Sequence, residues 1–172
     1  IADKSILQHA YESSLNSKMS LKTIILVDSI ELFTHCKTFT DDVLMTSKKH
    51  KNGTERIYEY VKSSETNFNI VNMQADEPFT DHKLIDAIFK QLMDGNEIVT
   101  AVYEISDNII DPNRVKVVLD KNDFALYFSR HEIPYNFSKK NKSKKNIHIG
   151  IYGYTTNSLS RINSYNDSYL GI

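Results

Sequence analysis

The sequence has one cysteine, three prolines, five glycines and no tryptophan in 172 residues, and neither sign of charge prevails, since 21 Lys and Arg face 22 Asp and Glu. A single thiol, Cys36, excludes an intramolecular disulfide and so a disulfide-held secreted scaffold. A formal net charge of -1 supplies no electrostatic footprint for nucleic acid or an anionic membrane, so a small discrete ligand is the expected partner. No apolar run approaches the ~20 residues that span a bilayer. These absences predict a cytoplasmic protein with no membrane association. No charged-then-apolar leader follows Ile1, and no initiator methionine precedes it, so the expectation is that upstream sequence is missing or was removed.

What is present suits one globular domain over residues 1–172: 40% hydrophobic and 25% charged residues are enough for a full core. Ile6, Leu7, Ala10, Tyr11 and Leu15 recur at helical spacing after Ser5, a candidate N-cap. The apolar run Thr23 to Val27 reads as a strand buried on both faces. A short helix follows over Ile30 to Phe39, a strand over Val43 to Met45, a helix beginning near Thr54, and a strand over Phe68 to Met73. Thr80 as N-cap, an apolar face of Leu84, Ile85, Ile88, Phe89 and Leu92, and Asp94-Gly95 as a stop mark the clearest helix. Ile98 to Val102, Val115 to Leu119, Ala125 to Phe128 and Ile147 to Tyr154 read as further strands, and the lysine-rich stretch 138–146 as an exposed loop without assigned function. Alternating strands and helices predict an α/β domain with a mainly parallel, mixed sheet covered on both faces, its ligands at the carboxyl ends of the strands. Such nucleotide-binding domains normally open on a strand and a phosphate-gripping loop; here the first element is a helix.

Four segments carry candidate chemistry. Asp76 and Glu77 directly follow the strand Phe68 to Met73, where a carboxylate can hold Mg2+ against a triphosphate; the same residues also make an ordinary acidic turn ahead of a helix. Asn52, Gly53, Thr54, Glu55 and Arg56 join a strand to a helix, which offers backbone amides and a hydroxyl to a base or phosphate, or simply starts a helix. Arg130 follows one strand and His148 and Tyr152 lie in another; an arginine can pair a carboxylate, and histidine and tyrosine can donate to hydroxyls, although half-buried structural roles suit them too. Cys36 has no paired His or Asp nearby in sequence, so a nucleophilic role is not expected.

Taken in order, these blocks resemble the 3-deoxy-manno-octulosonate cytidylyltransferases, the CMP-Kdo synthetases. Asn52-Gly53-Thr54-Glu55-Arg56 resembles the family's S-G-T-E-R, and Ile70 to Pro78 its I-V-N-x-Q-G-D-E-P. Pro112 to Asp120 with Ala125 to Arg130 and Ile133-Pro134-Tyr135 is similar to P-N-x-V-K-V-V-L-D and A-L-Y-F-S-R-x-x-I-P-[WY], and His148 to Tyr154 to H-x-G-I-Y-[GA]-Y. The resemblance implies a Rossmann-like three-layer nucleotidyltransferase domain, incomplete at both ends. It implies transfer of CMP from CTP to Kdo, with release of pyrophosphate, for lipopolysaccharide synthesis. Mg2+ is then the required ion, Asp76 its ligand and the catalytic carboxylate. Asn52, Gly53, Thr54 and Arg56 would hold the nucleotide, and Gln74, Arg130, His148 and Tyr152 the sugar.

Full-length members usually form homodimers. The departures are Ala75 for the family's glycine, Ser47 for an arginine and Lys49 for an aspartate. The family's amino-terminal signature would lie upstream of Ile1, and its second metal-binding Asp beyond Ile172. Lys4 aligns with a later family lysine, not with the catalytic one. A truncated non-catalytic product and a cytidylyltransferase for a sialic-acid-like nonulosonic acid are the competing readings; a metal-dependent glycosyltransferase stands further off.

Overall fold

The structure is a computed structural model that describes residues 3–62, 66–106, 111–135 and 144–164. The chain divides into two compact units: residues 1–99 with 151–172, and residues 100–150.

In the first unit, helices and strands alternate. The elements are α1 (Ile6–Ser14), β1 (Ile25–Val27), α2 (Ile30–Cys36), β2 (Val43–Met45), α3 (Gly53–Val61), β3 (Asn69–Asn72) and α4 (His82–Met93). Side chains cap the helices as their composition dictates: Ser5, Ser29 and Asn52 each accept the N–H three residues on, satisfying donors that the helix itself leaves orphaned. At α4 the cap is Asp81 rather than Thr80. The Thr80 hydroxyl instead donates to the carbonyl of Glu77 and its own carbonyl accepts from Ser13, so tertiary contacts claim the residue that local pattern marks.

β1 and β2 pair in parallel, Ile25 opposite Val43. Ile25 and Val27 are buried with Tyr11, Cys36 and Val43, and Leu7, Phe33 and Phe39 pack on that cluster. A second cluster joins Val61, Tyr154 and Leu159, with Ile57, Ile70 and Ile162 against it. Asp86 of α4 accepts from the hydroxyl of Ser17 and the N–H of Lys18 and Met19, which ties the α1–β1 connection to α4.

The strand β7 (Lys145–Thr155) contributes its last residues to this unit, antiparallel to β3 with Ile70 opposite Tyr154. It runs directly into α5 (Thr156–Ser164), which pattern reading does not find. No Gly or Pro separates the two elements, and only Leu159 and Ile162 mark an apolar face; the Thr155 hydroxyl, accepting from Ser158 N–H at 3.1 Å, switches the backbone to helix.

The second unit holds most of β4 (Ile98–Ile105), with β5 (Lys116–Leu119), β6 (Ala125–Ser129) and the first half of β7. β5 pairs antiparallel with β6, Lys116 opposite Ser129, and antiparallel with β7, Lys116 opposite Ile147. The α/β alternation and a mixture of pairings are as expected, but parallel pairing does not prevail among these pairs: β1–β2 is parallel, whereas β3–β7, β5–β6 and β5–β7 are antiparallel. Residues 138–143 of the lysine-rich stretch lie outside the described residues. Lys145 corrects the expectation of an exposed loop: it begins β7 with its side chain buried, because its ammonium pairs with Glu132. Among the described residues no helix is long and apolar enough to cross a membrane.

Candidate active site

The segment singled out for the nucleotide folds into the start of α3. Asn52 is its N-cap, the side-chain oxygen accepting Glu55 N–H at 2.9 Å, and Glu55 reaches back to accept Lys51 N–H at 2.9 Å. Gly53 opens the helix, and a Cβ there would make only ordinary contact, 3.6 Å from Asn72. Thr54 meets the Tyr154 hydroxyl at 3.5 Å. The Arg56 guanidinium spans to the carboxyl ends of two strands, donating to Asp28 Oδ2 at 2.7 Å and Thr46 Oγ1 at 2.6 Å. Asp28 directly follows the apolar run that forms β1, and nothing in the local sequence pairs it with Arg56.

Nearby, His50 pairs with Glu59, and the same Glu59 oxygen accepts Ser47 N–H at 2.9 Å. The His50 hydrogen bond, followed by that of Ser47, holds the Glu59 carboxyl below the usual carboxylate range. Ser47, one of the departures from the family pattern, thus contributes its backbone to this cluster.

Gln74 and Asp76 lie in the turn after β3, closed by Glu77 N–H donating to the Gln74 carbonyl at 3.2 Å. Both side chains are exposed. Among the described residues Asp76 has no ion-pair or hydrogen-bond partner, and no three His, Cys, Asp or Glu side chains gather into a metal cluster. An unengaged carboxylate fits Mg2+ as that ion is usually held beside nucleotides, by one or two carboxylates with phosphate oxygens and water completing the shell. Gly53, Arg56 and Gln74 all line one cavity of about 680 Å3 in the first unit, whose remaining walls include Ile25, Val61 and Phe89. Asn52, Thr54 and Asp76 are not among its walls.

Tyr152 belongs to the first unit and stacks on Tyr154, ring centroids 6.0 Å apart. Burial raises the pKa of both phenols, so each keeps its proton and remains a donor. Arg130 and His148 belong to the second unit. The His148 Nε2 lies 2.9 Å from the Thr100 hydroxyl and its ring sits edge-on to Phe128 at 5.4 Å. Burial pushes its pKa down, which favours a neutral imidazole. The exposed Arg130 donates from Nη1 to the Pro112 carbonyl at 3.2 Å. Thr100 has no signal in the sequence, since an isolated strand threonine is common; only the β4–β7 pairing brings it to His148.

The chain is similar to known proteins over most of its length. A family model described as Cytidylyltransferase matches residues 1–169. The 3-deoxy-manno-octulosonate cytidylyltransferase of Thermodesulfovibrio yellowstonii is 37% identical over 169 residues, covering 90% of this chain and 66% of its own length. That of Elusimicrobium minutum is 38% identical over 165 residues, covering 92% of this chain and 66% of its own length. The solved structure of CMP:2-keto-3-deoxy-manno-octonic acid synthetase complexed with CTP superposes with a TM-score of 0.87 at 28% identity, over 96% of this chain and 69% of that one. The chain therefore spans slightly under two thirds of the length of the curated relatives it matches.

Proposed function

We propose that this chain, which belongs to the cytidylyltransferase family, is part of an enzyme that transfers CMP from CTP to Kdo for lipopolysaccharide synthesis. The observation that carries the reading is similarity sustained over about nine tenths of the chain to relatives with that activity in their names. A CTP-complexed neighbour with the same fold supports the nucleotide half.

In the proposed reaction the anomeric hydroxyl of the sugar forms a bond to the α-phosphorus of CTP while the α–β phosphoanhydride bond breaks, and pyrophosphate leaves. Asp76 would hold Mg2+, which when bound supplies charge neutralisation on the phosphates. The work of the protein is then positioning and electrostatics. The turn of Asn52, Gly53, Thr54 and Arg56 holds the nucleotide, the Asp28 and Thr46 contacts of Arg56 fixing that turn against the strand ends. Arg130 pairs the sugar carboxylate. His148, neutral, and Tyr152, protonated, engage sugar hydroxyls by hydrogen bonds rather than by charge, and Gln74 adds a polar contact. The reaction takes place in the cytoplasm, and the whole enzyme is a homodimer.

The test is pyrophosphate release from CTP plus Kdo by the polypeptide as its gene encodes it. Sugar-dependent release is expected, and Asp76→Asn should remove most of the Mg2+-dependent rate while keeping the fold, because the amide loses the negative charge at nearly constant volume. Release without regard to the sugar, or near-normal turnover of the variant at low Mg2+, refutes the assignment.

A further inference from the structure

Lys116 is a lysine where the core pattern of β5 calls for an apolar residue. Its side chain is buried, 1% exposed, beside the equally buried Val117. Taking an ammonium out of water is costly, and burial is tolerated only when every donor is matched. Here the match is complete: Nζ donates to the backbone carbonyls of Asp111 at 3.0 Å, Arg114 at 2.7 Å and Arg130 at 2.7 Å. Three N–H donors meet three acceptors, and among the described residues none of the three is a carboxylate. The second buried lysine of this unit, Lys145, is handled differently, by pairing with Glu132.

The three carbonyls come from two segments, the 111–114 turn and the residue directly after β6. Arg130 joins the same segments a second time, its guanidinium donating to the Pro112 carbonyl. Both the backbone and the side chain of Arg130 are therefore referred to one turn, and the charge of Lys116 holds that turn in place. A valine or methionine would fill the volume but would leave the three carbonyls without a common donor.

We propose that Lys116 is a positioning residue that aims the Arg130 guanidinium at the carboxylate of the acidic sugar. The inference rests on the reading of Arg130 as a sugar-binding residue. It accounts for a buried positive charge that, among the described residues, is met by backbone carbonyls and not by a carboxylate.

The test compares the chain with Lys116→Met, Arg130→Met, the double variant and Lys116→Gln, which keeps two N–H donors at shorter reach. Two readouts are used: affinity for Kdo and for CTP by titration, and hydrogen exchange of the Arg130 Nε–H and the 111–114 amides by NMR. Lys116→Met is expected to weaken Kdo binding about tenfold, the loss of one charge-assisted contact, and to leave CTP binding unchanged. The double variant should bind Kdo no worse than Arg130→Met alone, and Lys116→Gln should fall between Lys116→Met and the unmodified chain. Exchange at Arg130 and the turn should quicken while the helices of the first unit stay protected. Losses that add in the double variant, equal losses for both ligands, or unchanged exchange at Arg130 overturn the proposal. If Arg130→Met leaves Kdo binding intact, the sugar reading of Arg130 fails, and the exchange of its Nε–H still decides whether Lys116 holds it. If Lys116→Met does not fold, Lys116→Gln carries the comparison.

Discussion

Gly153 of β7 is buried with its Cα toward α4, and replacing it with alanine tests how tightly the two elements are fitted. A Cβ added there would fall inside the 3.0 Å that real Cβ atoms respect from Ile88 Cγ2, at 3.0 Å from Leu92 Cδ1 and 3.3 Å from Leu92 Cγ. Ile88 and Leu92 are 2% and 4% exposed, and Ile88 is β-branched, so its methyl cannot swing aside within its rotamer. Relief must come from moving α4 or distorting β7, which places the cost at about 1–3 kcal/mol, the usual range for overpacking. For a chain of this size each kcal/mol lowers the melting temperature by roughly 2–4 °C, so Gly153→Ala should melt about 2–12 °C lower. Circular dichroism on heating, checked by urea titration, reads this directly. Ile88→Ala alone should cost about 2–5 kcal/mol by leaving a cavity. In the double variant the new methyl occupies part of that cavity, so the two losses should fall short of their sum by about 0.5–3 kcal/mol. A single variant that melts within about 1 °C of the parent, or losses that simply add, would refute the packing argument.

Two further outcomes follow from the shifted acids and bases. The Asp86 carboxyl is held below its ordinary 3.8 by the Ser17 hydroxyl and by the N–H groups of Met19 and Lys18, so its contribution is present above that value and is lost as pH falls through the lower folded value. Asp86→Asn should therefore flatten the acid limb of a melting-temperature profile below pH ~4, and an unchanged limb would show that the contact contributes nothing. His148 is pushed below its ordinary 6.5 by burial, so its stabilising effect is present above 6.5 and fades as pH falls through the folded value. The second unit should lose hydrogen-exchange protection on acidification below that point in the parent and much less in His148→Asn; equal losses in both would place the titration elsewhere.

Much of the fold is legible because local periodicity and capping chemistry act over a few residues. β2 is read at its observed limits, Val43–Met45, and α1 is capped by Ser5 as expected. β1 is shorter at its start than the apolar run from Thr23, because only Ile25 to Val27 find a partner in β2. The blocks that reveal the family are short and contiguous, so they are read from neighbouring residues without knowledge of the tertiary contacts. They single out the candidate residues for the proposed nucleotide, metal and acidic-sugar contacts, and that much was legible in the sequence alone.

What only the tertiary structure decided is what each of these residues touches. Arg56 meets Asp28 across 28 positions of chain, and His148 meets Thr100 across 48. Lys116, read as one residue of a strand motif, proves to bind three carbonyls, two from a turn and one from the residue that follows β6. The family pattern admits glycine or alanine at Gly153, while Ile88 leaves room for glycine alone. The physical reason is common to all four. Propensity and pattern are properties of neighbouring residues, whereas a hydrogen-bond partner or a steric limit depends on which distant segments the packed chain brings within a few ångströms.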